Sequence, residues 1–267
     1  MPSPLVTLSL PIYNAERFLA EALQSIKAQT LADFNVYAVL DGCTDRSEEI
    51  LMDLKDKRFI VVKKEQNEGQ TPAGNLGLFR GRGEFFGRTD ADDLMHPEKL
   101  ERQVRFLNEH PDVDIVGAYF DLINEQGVHI REAFPFPTTH EAIREGFRVR
   151  NSMGGSVALC RRSKIVAVGG YDPAHRQGAD LELWLHCLAA GCRFANLPEV
   201  LYHYRQHDAQ VSVHRRSTIL NLTNLAYRRY GPLIWGDDAP EVEFGAPLHR
   251  RAWRRLKRLF KAKKKRA

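Results

Sequence analysis

The residues with the clearest chemical potential are Asp90, Asp92 and Asp93, which fall within four consecutive positions. They follow an apolar, strand-like run that ends at Thr89, and they precede a helix start at residues 96–100. Three carboxylates this close repel one another unless a cation is present, and hard divalent cations such as Mg²⁺ and Mn²⁺ prefer oxygen ligands. A metal held by one or two carboxylates keeps positions open for substrate phosphates. The spacing therefore predicts a site for a metal-bound diphosphate, and the alternative is a solvated acidic turn that caps the next helix.

The segments that must position these carboxylates alternate between apolar strand-like runs and helical runs. Strands are predicted over residues 6–10, 34–40, 59–62 and 114–120, and a further strand is predicted to end at Thr89. Helices are predicted over residues 15–29, 45–54, 71–80 and 96–110. We expect Asn14, Asp45 and Thr71 to cap the first three of these helices. The alternation indicates an α/β fold with a mainly parallel sheet flanked by helices.

Two acidic loops follow strands of this predicted sheet. Residues 41–45 come after the second strand, and residues 90–93 come after the fourth. Ligands of such sheets bind at the carboxyl ends of the strands, where the loops converge. The two loops are therefore expected to line one site.

The second half of the chain has a less regular pattern. Helices are predicted over residues 138–150 and 179–190, strands over residues 157–160, 194–197 and 200–204, and loops over residues 134–137 and 151–156. The last of these loops is rich in glycine and leads into a strand.

Length and composition are ordinary for a globular protein. The 267 residues, 43% hydrophobic and 27% charged, accommodate one α/β domain, predicted over residues 1–212, and a C-terminal helical extension over residues 213–267. No apolar run reaches the roughly 18–20 residues that cross a bilayer. The first residues carry no basic segment, so a signal peptide is not expected. The four cysteines form no CxxC pair, which is typical of reduced thiols in a cytoplasmic protein.

The positive charge is concentrated at the C-terminus. Residues 250–267 hold eleven of the 39 Lys and Arg residues and no Asp or Glu, which leaves 28 basic against 34 acidic residues elsewhere. Leu256, Leu259 and Phe260 recur there at helical spacing, so a basic amphipathic helix that lies on an anionic membrane surface is predicted. The alternative is a solvated or packed helix. No aromatic-rich platform accompanies the charges, which argues against nucleic acid as a partner.

Several segments, taken in order, resemble the inverting family 2 glycosyltransferases. The first matches are VTLSLPIYN at residues 6–14 and ALQSIKAQT at residues 22–30. The later matches are DGCTD at residues 41–45, NEG at residues 67–69 with the segment to residue 77, DADD at residues 90–93, VGGYD at residues 168–172 and YRQH at residues 204–207. The resemblance covers about residues 6–212, and the ordered set is specific although no single motif is decisive.

The resemblance implies a GT-A (Rossmann-like) fold and a nucleotide-sugar donor bound with Mg²⁺ or Mn²⁺. It places donor contacts at Pro11, Tyr13, Asn14, Asp41, Asn75, Asp90 and Ala91, and metal ligands at Asp92, Asp90 and His207. Asp41 would hydrogen-bond the nucleobase, which favours UDP- or dTDP-sugars, although guanine also offers a ring N–H. Asp93 is expected to cap or orient the loop, and a plain surface histidine is the alternative for His207.

The same resemblance implies that Asp180 is the general base that takes the proton of the acceptor hydroxyl. Glu182 is the rival base, two residues further on and on a different side of the helix. The implied reaction moves a sugar to a hydroxyl of a glycan or lipid-linked acceptor in cell-surface polysaccharide synthesis. Formation of a lipid-phosphate sugar and a catalytically silent sugar-nucleotide or membrane-binding module are the alternatives. The expected location is cytoplasmic and peripheral, at the inner face of the cell membrane.

Three positions depart from the family pattern. Gly74 stands where many relatives carry a basic residue, Cys43 where serine is usual, and His186 where arginine is frequent. The charge of the diphosphate is therefore expected to be met from elsewhere, and the basic residues nearby in sequence are Lys63, Lys64 and Arg80.

Overall fold

The computed structural model describes residues 3–131, 135–175, 178–208 and 216–240. The strands are β1 (Val6–Ile12), β2 (Phe34–Asp41), β3 (Phe59–Lys64), β4 (Phe85–Arg88), β5 (Leu94–Met95), β6 (Ile115–Ile123), β7 (His129–Arg131), β8 (Leu159–Arg161) and β9 (Phe194–Arg205). The helices are α1 (Leu19–Lys27), α2 (Ser47–Asp53), α3 (Gln70–Arg80), α4 (Lys99–Glu109), α5 (His140–Phe147), α6 (Arg162–Ala167), α7 (Ala179–Ala189) and α8 (Arg216–Trp235).

The strands form one mainly parallel sheet in the order β3-β2-β1-β4-β8-β6-β9-β5, with β7 paired to β6. β1 is parallel to β2 and β4, β2 is parallel to β3, and β6 is parallel to β9. β8 is antiparallel to both β4 and β6 and so joins the two parallel groups. The predicted mainly parallel α/β fold is confirmed, and the loops after β1, β2 and β4 lie along one edge of the sheet.

Two apolar cores cover the opposite faces of the sheet. Because successive side chains of a strand point to opposite faces, Phe85 packs in the core that includes α1, α2 and α4, whereas Phe86 packs in the core that includes α5, α6 and α7. Trp184 of α7 is 1% exposed in the second core. Burying one such side chain contributes about 1.5–3 kcal/mol, so the elements that carry the polar loops are held rigidly.

The predicted cap at Asn14 is wrong, whereas Asp45 does contact the start of its helix. α1 begins at Leu19, and Asn14 lies in the turn after β1 with φ of 46°. The side-chain oxygen of Asn14 accepts the N–H of Thr44 at 2.9 Å, because this tertiary contact is available and the helix start is not. Asp45 accepts the N–H of Ser47, the first residue of α2, at 3.0 Å.

The predicted cap at Thr71 is also wrong. α3 begins at Gln70, so Thr71 lies inside the first turn, and its hydroxyl donates to the carbonyl of His175 at 2.7 Å. This bond ties α3 to the segment that leads into α7.

Short elements account for most of the remaining differences from the sequence prediction. β5, β7 and α6 were not predicted, since each is too short to show a period. The two predicted strands over residues 194–204 are one strand, β9, whose pairing with β6 is irregular near Leu197 and Val200.

α8 packs against α7 and the second core. The hydroxyl of Tyr230 donates to Glu182 at 2.7 Å, and that of Tyr227 donates to the carbonyl of Phe147. The domain boundary at residue 212 stays a prediction, and the basic tail at residues 250–267 lies outside the described residues. None of the helices in the described ranges combines the length and the apolar character needed to cross a membrane.

Candidate active site

The acidic loop, residues 90–93, connects β4 to β5 and is fixed from β9. The hydroxyl of Tyr202 accepts the N–H of Asp90 at 3.3 Å and lies 3.2 Å from the hydroxyl of Thr89. The side chain of Asp90 accepts a hydrogen bond from the hydroxyl of Ser156 and lies 3.6 Å from the guanidinium of Arg88. Asp90 therefore has partners on both sides but keeps 20% of its side chain exposed.

Asp92 pairs with His207, as the resemblance suggested by placing both at the metal. The distance from Nε2 of His207 to Oδ2 of Asp92 is 2.9 Å, and the side chain of Asp92 is 31% exposed. Burial and then the negative charge of Asp90 raise the pKa of Asp92, and His207 acts in the opposite direction. A cation bound at this carboxylate would stabilise its ionised form and so lower this pKa.

Asp93 points into the protein. It is 2% exposed, and its Oδ1 accepts the backbone N–H of Arg205 at 2.8 Å. Burial, followed by the charges of Asp92 and Asp90, raises the pKa of Asp93 well above its usual range. This geometry agrees with the expected loop-holding role of Asp93.

Arg205, which sequence reasoning missed, anchors the acidic loop from β9. Its side chain is fully buried. Its Nε donates to the carbonyl of Asp92 at 2.8 Å, and its Nη1 donates to the carbonyl of Glu125 at 2.9 Å. A further bond of 2.7 Å joins Nη2 to the carboxylate of Glu21. Its place in the segment YRQH was the one sign of its importance in the sequence. Its role as an anchor could not be predicted, because its partners are far apart along the chain.

Asp41 lies at the end of β2 and holds the next loop. It is 2% exposed, and its two oxygens accept the N–H groups of Glu68 at 3.1 Å and Gly69 at 2.8 Å. The ammonium of Lys64 is 3.5 Å from Oδ1. An ionised carboxylate has about four acceptor sites, so these contacts leave acceptor capacity for a nucleobase N–H.

The turn after β1 presents one open aromatic ring. Tyr13 is 53% exposed, whereas Pro11 lies within β1 opposite Val39. The side-chain oxygen of Asn14 accepts the N–H of Thr44. Of the three donor contacts expected here, Tyr13 and Asn14 are exposed, and the side-chain oxygen of Asn14 already has a protein partner.

The side chains of Asn75 and Ala91 contact other parts of the protein. The amide of Asn75 accepts the N–H of Tyr171 at 2.9 Å and donates to the carbonyl of the same residue at 2.8 Å. The methyl group of Ala91 is 8% exposed and packs in the first core. A ligand contact at Ala91 would therefore use the backbone.

The loop of residues 151–156 joins Asp180 to the acidic loop. At one end the amide of Asn151 donates to Oδ2 of Asp180 at 3.0 Å, and at the other end Ser156 donates to Asp90. Between them Gly155 lies against Asp180, where an added Cβ would be 2.6 Å from the Cβ of Asp180. Glycine is therefore required for this close approach.

Glu182 faces away from this loop, toward α8. It is 2% exposed and accepts the hydroxyl of Tyr230. Its carboxylate lies close to the side chains of Asp172 and His175. The possible metal-ligand atoms of these three residues lie within 4.8 Å of one another, and among the described residues they form the one group of this kind. Asp172 also lies 3.6 Å from the guanidinium of Arg229. We interpret this group, which we call the α8 cluster, as an ion-pair network, since a hydroxyl and a guanidinium already face its two carboxylates.

The residues at the acidic loop fit a divalent metal by their chemistry. Two partly exposed carboxylates, Asp90 and Asp92, and one imidazole, His207, supply oxygen and nitrogen donors of the kind that Mg²⁺ and Mn²⁺ accept. Their ligand atoms do not converge as tightly as those of the α8 cluster. Burial, and then the charge of Asp90, disfavour the ionised form of Asp92 and raise its pKa.

Arg88 is the arginine whose guanidinium lies beside the carboxylate of Asp90, at 3.6 Å. Lys63 pairs with Glu48 at 2.7 Å, and Lys64 pairs with Glu68 at 2.9 Å, both beside β3. A Cβ added at Gly74 would lie 3.5 Å from the ring of Tyr171 and 3.7 Å from Cδ of Arg88. The side chain of Arg88, from β4, therefore lies next to Gly74. Sequence reasoning did not single out this arginine, although it precedes Asp90 by two residues.

Known proteins share both the sequence and the fold. The model of the family described as glycosyl transferase family 2 matches residues 7–168. An uncharacterized glycosyltransferase of Methanocaldococcus jannaschii is 31% identical over 209 residues, which are 77% of this chain and 72% of that protein. The amylovoran biosynthesis glycosyltransferase AmsE of Erwinia amylovora is 28% identical over 215 residues, which are 79% of this chain and 80% of that protein.

Two solved structures illustrate the likeness in fold. TarS 1–349 of S. aureus in complex with UDP-GlcNAc has a TM-score of 0.69 at 17% identity, over 86% of this chain and 70% of that one. The mannosyltransferase PcManGT of Pyrobaculum calidifontis, in complex with GDP-Man and Mn²⁺, has a TM-score of 0.64 at 20% identity, over 86% of this chain and 64% of that one. Because the family model matches more than half of the chain and the sheet is that of a GT-A fold, the chain belongs to glycosyl transferase family 2.

Proposed function

We propose that this glycosyltransferase is metal-dependent and inverting, and that it moves a sugar from a nucleotide-diphosphate donor to a hydroxyl of a glycan or lipid-linked acceptor. The observation that carries the proposal is the loop of residues 151–156, whose two ends bind Asp180 and Asp90. A direct displacement needs the base and the leaving-group side close to one another. One short loop that contacts both carboxylates meets this requirement.

The leaving-group side consists of Asp92, Asp90 and His207. These side chains would hold Mg²⁺ or Mn²⁺, which as a Lewis acid offsets the charge that develops on the departing diphosphate. Tyr202 and Arg205 keep the loop backbone in place, so that only the side chains of the three ligands would have to draw together around a metal.

The acceptor side consists of Asp180. Its carboxylate would take the proton of the acceptor hydroxyl, which leaves that oxygen nucleophilic enough to attack the sugar carbon. Asn151 orients the carboxylate through Oδ2, and Gly155 admits it at close range. Glu182 is a poor rival, because its hydrogen bond to Tyr230 turns it toward α8.

The donor is proposed to be a UDP- or dTDP-sugar. Asp41 is the residue at the nucleotide loop whose acceptor capacity suits the ring N–H of uracil or thymine. One structural neighbour is seen with UDP-GlcNAc and another with GDP-Man, so GDP-sugars belong in any screen as the competing class.

The product is proposed to be a cell-surface polysaccharide. The relative AmsE is named for amylovoran biosynthesis, which supports a glycan or lipid-linked acceptor over a lipid phosphate. A phosphate acceptor is already an anion and needs no base, so a requirement for Asp180 favours a hydroxyl acceptor.

The proposal is tested by donor binding followed by transfer. Thermal shift with UDP-, dTDP- and GDP-sugars, each with and without Mn²⁺, should show stabilisation that needs both the metal and one nucleotide class. The anomeric configuration of the product, measured by NMR, should be opposite to that of the donor. Absence of stabilisation and of donor hydrolysis with every nucleotide sugar would contradict the proposal and leave a silent binding module.

The basic tail is proposed to place the enzyme at an anionic membrane surface. Residues 250–267 carry eleven basic residues and no acidic ones, and each basic residue near such a surface contributes about 1 kcal/mol. Co-sedimentation with vesicles containing phosphatidylserine should retain the full chain and release a chain truncated before Arg250. Equal binding of both chains would refute this role, and vesicles of phosphatidylcholine alone serve as the control.

A further inference from the structure

Arg88 is the last residue of β4 and comes two residues before Asp90 in the sequence. It pairs in register with Ser9 of β1, and its guanidinium is 3.6 Å from Oδ1 of Asp90. Its Cζ lies 5.6 Å from the centre of the Tyr171 ring. Tyr171 is itself fixed at both its N–H and its carbonyl by Asn75, so the guanidinium is held on one side by a rigid ring and on the other by the acidic loop.

Arg88 has fewer hydrogen-bond partners than a buried guanidinium usually has. The residue is 9% exposed, and its Nε has no hydrogen-bond partner among the described residues. A guanidinium has five N–H donors, and a buried charge is costly unless it is paired and hydrogen-bonded. The distance of 3.6 Å to Asp90 is an ion-pair distance but too long for a good hydrogen bond. A purely structural arginine would be satisfied better, as Arg205 is.

The charge of Arg88 reaches both proposed functional carboxylates. Burial lowers the pKa of Arg88, but the negative charges around it, with Asp90 first and Asp180 also contributing, outweigh burial and raise the pKa overall. Arg88 and Gly155 line the same narrow gap, which has no room for a water molecule. Gly155 is the residue against which the side chain of Asp180 lies. The side chain of Arg88 is itself only 10% exposed, so its charge is screened less than that of a surface arginine.

We propose that Arg88 is a positioning residue that couples Asp90, on the leaving-group side, to Asp180, on the acceptor side. The inference rests on the proposed function, since it takes the roles of these two carboxylates from it. A fixed cation near both allows each to stay ionised and in place. Because the same guanidinium acts on both carboxylates, a change of charge at Asp90 would be coupled through Arg88 to the orientation of the base.

A double-mutant cycle tests this coupling. Arg88→Gln should lower kcat for transfer at least about tenfold, a typical coupling between contacting groups, and leave the KM for the nucleotide sugar within about twofold. In the background of Asp180→Asn, the same substitution should change the residual transfer rate little, because the carboxylate through which Arg88 acts is already absent. Arg88→Lys keeps the positive charge but loses the planar set of guanidinium N–H donors, so it should recover part of kcat. It also provides a second variant to measure if Arg88→Gln does not fold.

Arg161→Gln is the matched control. Arg161 lies in β8, beside β4, and donates to the carbonyls of Val113 and Leu107 rather than to a carboxylate of the site. Its substitution should lower the melting temperature without changing kcat of the folded enzyme. The inference is overturned if Arg88→Gln keeps kcat within about twofold, if Arg88→Lys is no better than Arg88→Gln, or if the two losses in the cycle simply multiply. Failure of the wild-type enzyme to transfer any sugar would instead overturn the proposed function.

Discussion

The acidic loop and the α8 cluster contain the same kinds of side chain in opposite surroundings. In the acidic loop, Asp90 and Asp92 remain 20% and 31% exposed, and the pKa of Asp92 is raised by burial and by its neighbour. In the α8 cluster, Glu182 is 2% exposed and accepts the hydroxyl of Tyr230. The first group is open to a ligand and its like charges repel. In the second group a hydroxyl and a guanidinium already face the two carboxylates, and Oε2 of Glu182 and both ring nitrogens of His175, which have no hydrogen-bond partner among the described residues, are buried.

The difference shows that proximity of carboxylates is a weak guide to function. By distance alone the α8 cluster is the tighter group, with ligand atoms within 4.8 Å. Its neighbours tie α8 to α7 and so stabilise the helix that carries Asp180. Exposure, more than spacing, therefore separates a ligand site from a structural network.

The largest effect is expected at Asp180. Asp180→Asn keeps the shape and the contact with Asn151 but removes the base, so transfer should fall about 10²–10⁴-fold, while binding of the nucleotide sugar with Mn²⁺ is retained. Initial rates and calorimetric titration measure the two quantities. Glu182→Gln is the control on the same helix, and a comparable loss of transfer in that variant would reverse the comparison of the two groups.

The next effect is expected at Asp92. Asp92→Asn removes the charge of one proposed metal ligand and should raise the Mn²⁺ concentration for half-maximal donor hydrolysis by about 10–100-fold, in the range of losses around metal sites. Asp172→Asn, in the α8 cluster, should leave that concentration unchanged. If the Asp172 variant shifts the metal requirement and the Asp92 variant does not, the metal belongs to the α8 cluster.

The sequence predicted the sheet well because strand patterns are local. The runs that form β1, β2 and β3 are apolar over several residues, and the loops after the second and fourth strands were expected at one edge. The period of a helix also separated Asp180 from Glu182, which lie on different sides of α7. By contrast, the partners of Arg205 could not be predicted, since the groups it meets lie up to 184 positions away in sequence.

Caps show the same limit at a smaller scale. Asn14 has a side chain suited to a helix start, but in the fold it accepts a hydrogen bond from Thr44, some 30 positions away. Local propensity cannot foresee that a better partner arrives from another loop. The roles given to donor-binding residues such as Tyr13 and Asp41 came from the resemblance and stay predictions.

A smaller loss of activity is expected from Gly155→Ala. The added methyl group would lie 2.6 Å from the Cβ and 3.1 Å from Oδ2 of Asp180, so the base must move, and misplacement on this scale costs roughly tenfold or more in rate. Gly154→Ala is the matched control, because its methyl group would meet apolar atoms of Val157 at 3.0 Å and Phe120 at 3.5 Å. Equal rates in the two variants would argue that the position of Asp180 does not limit transfer.

The smallest effect, and one on stability alone, is expected in the α8 cluster. Tyr230→Phe removes the hydroxyl that donates to the buried carboxylate of Glu182 at 2.7 Å, and a hydrogen bond to a charged group contributes about 1.5–3 kcal/mol. The melting temperature should fall by roughly 3–10 °C for a chain of this size, while kcat of the folded enzyme stays unchanged. Tyr37→Phe, which loses a bond of 3.0 Å to the neutral carbonyl of Arg80, should cost less. A fall in kcat with unchanged melting temperature would mean that the α8 cluster acts in the reaction, because a network that only stabilises the fold cannot change the rate of molecules that remain folded.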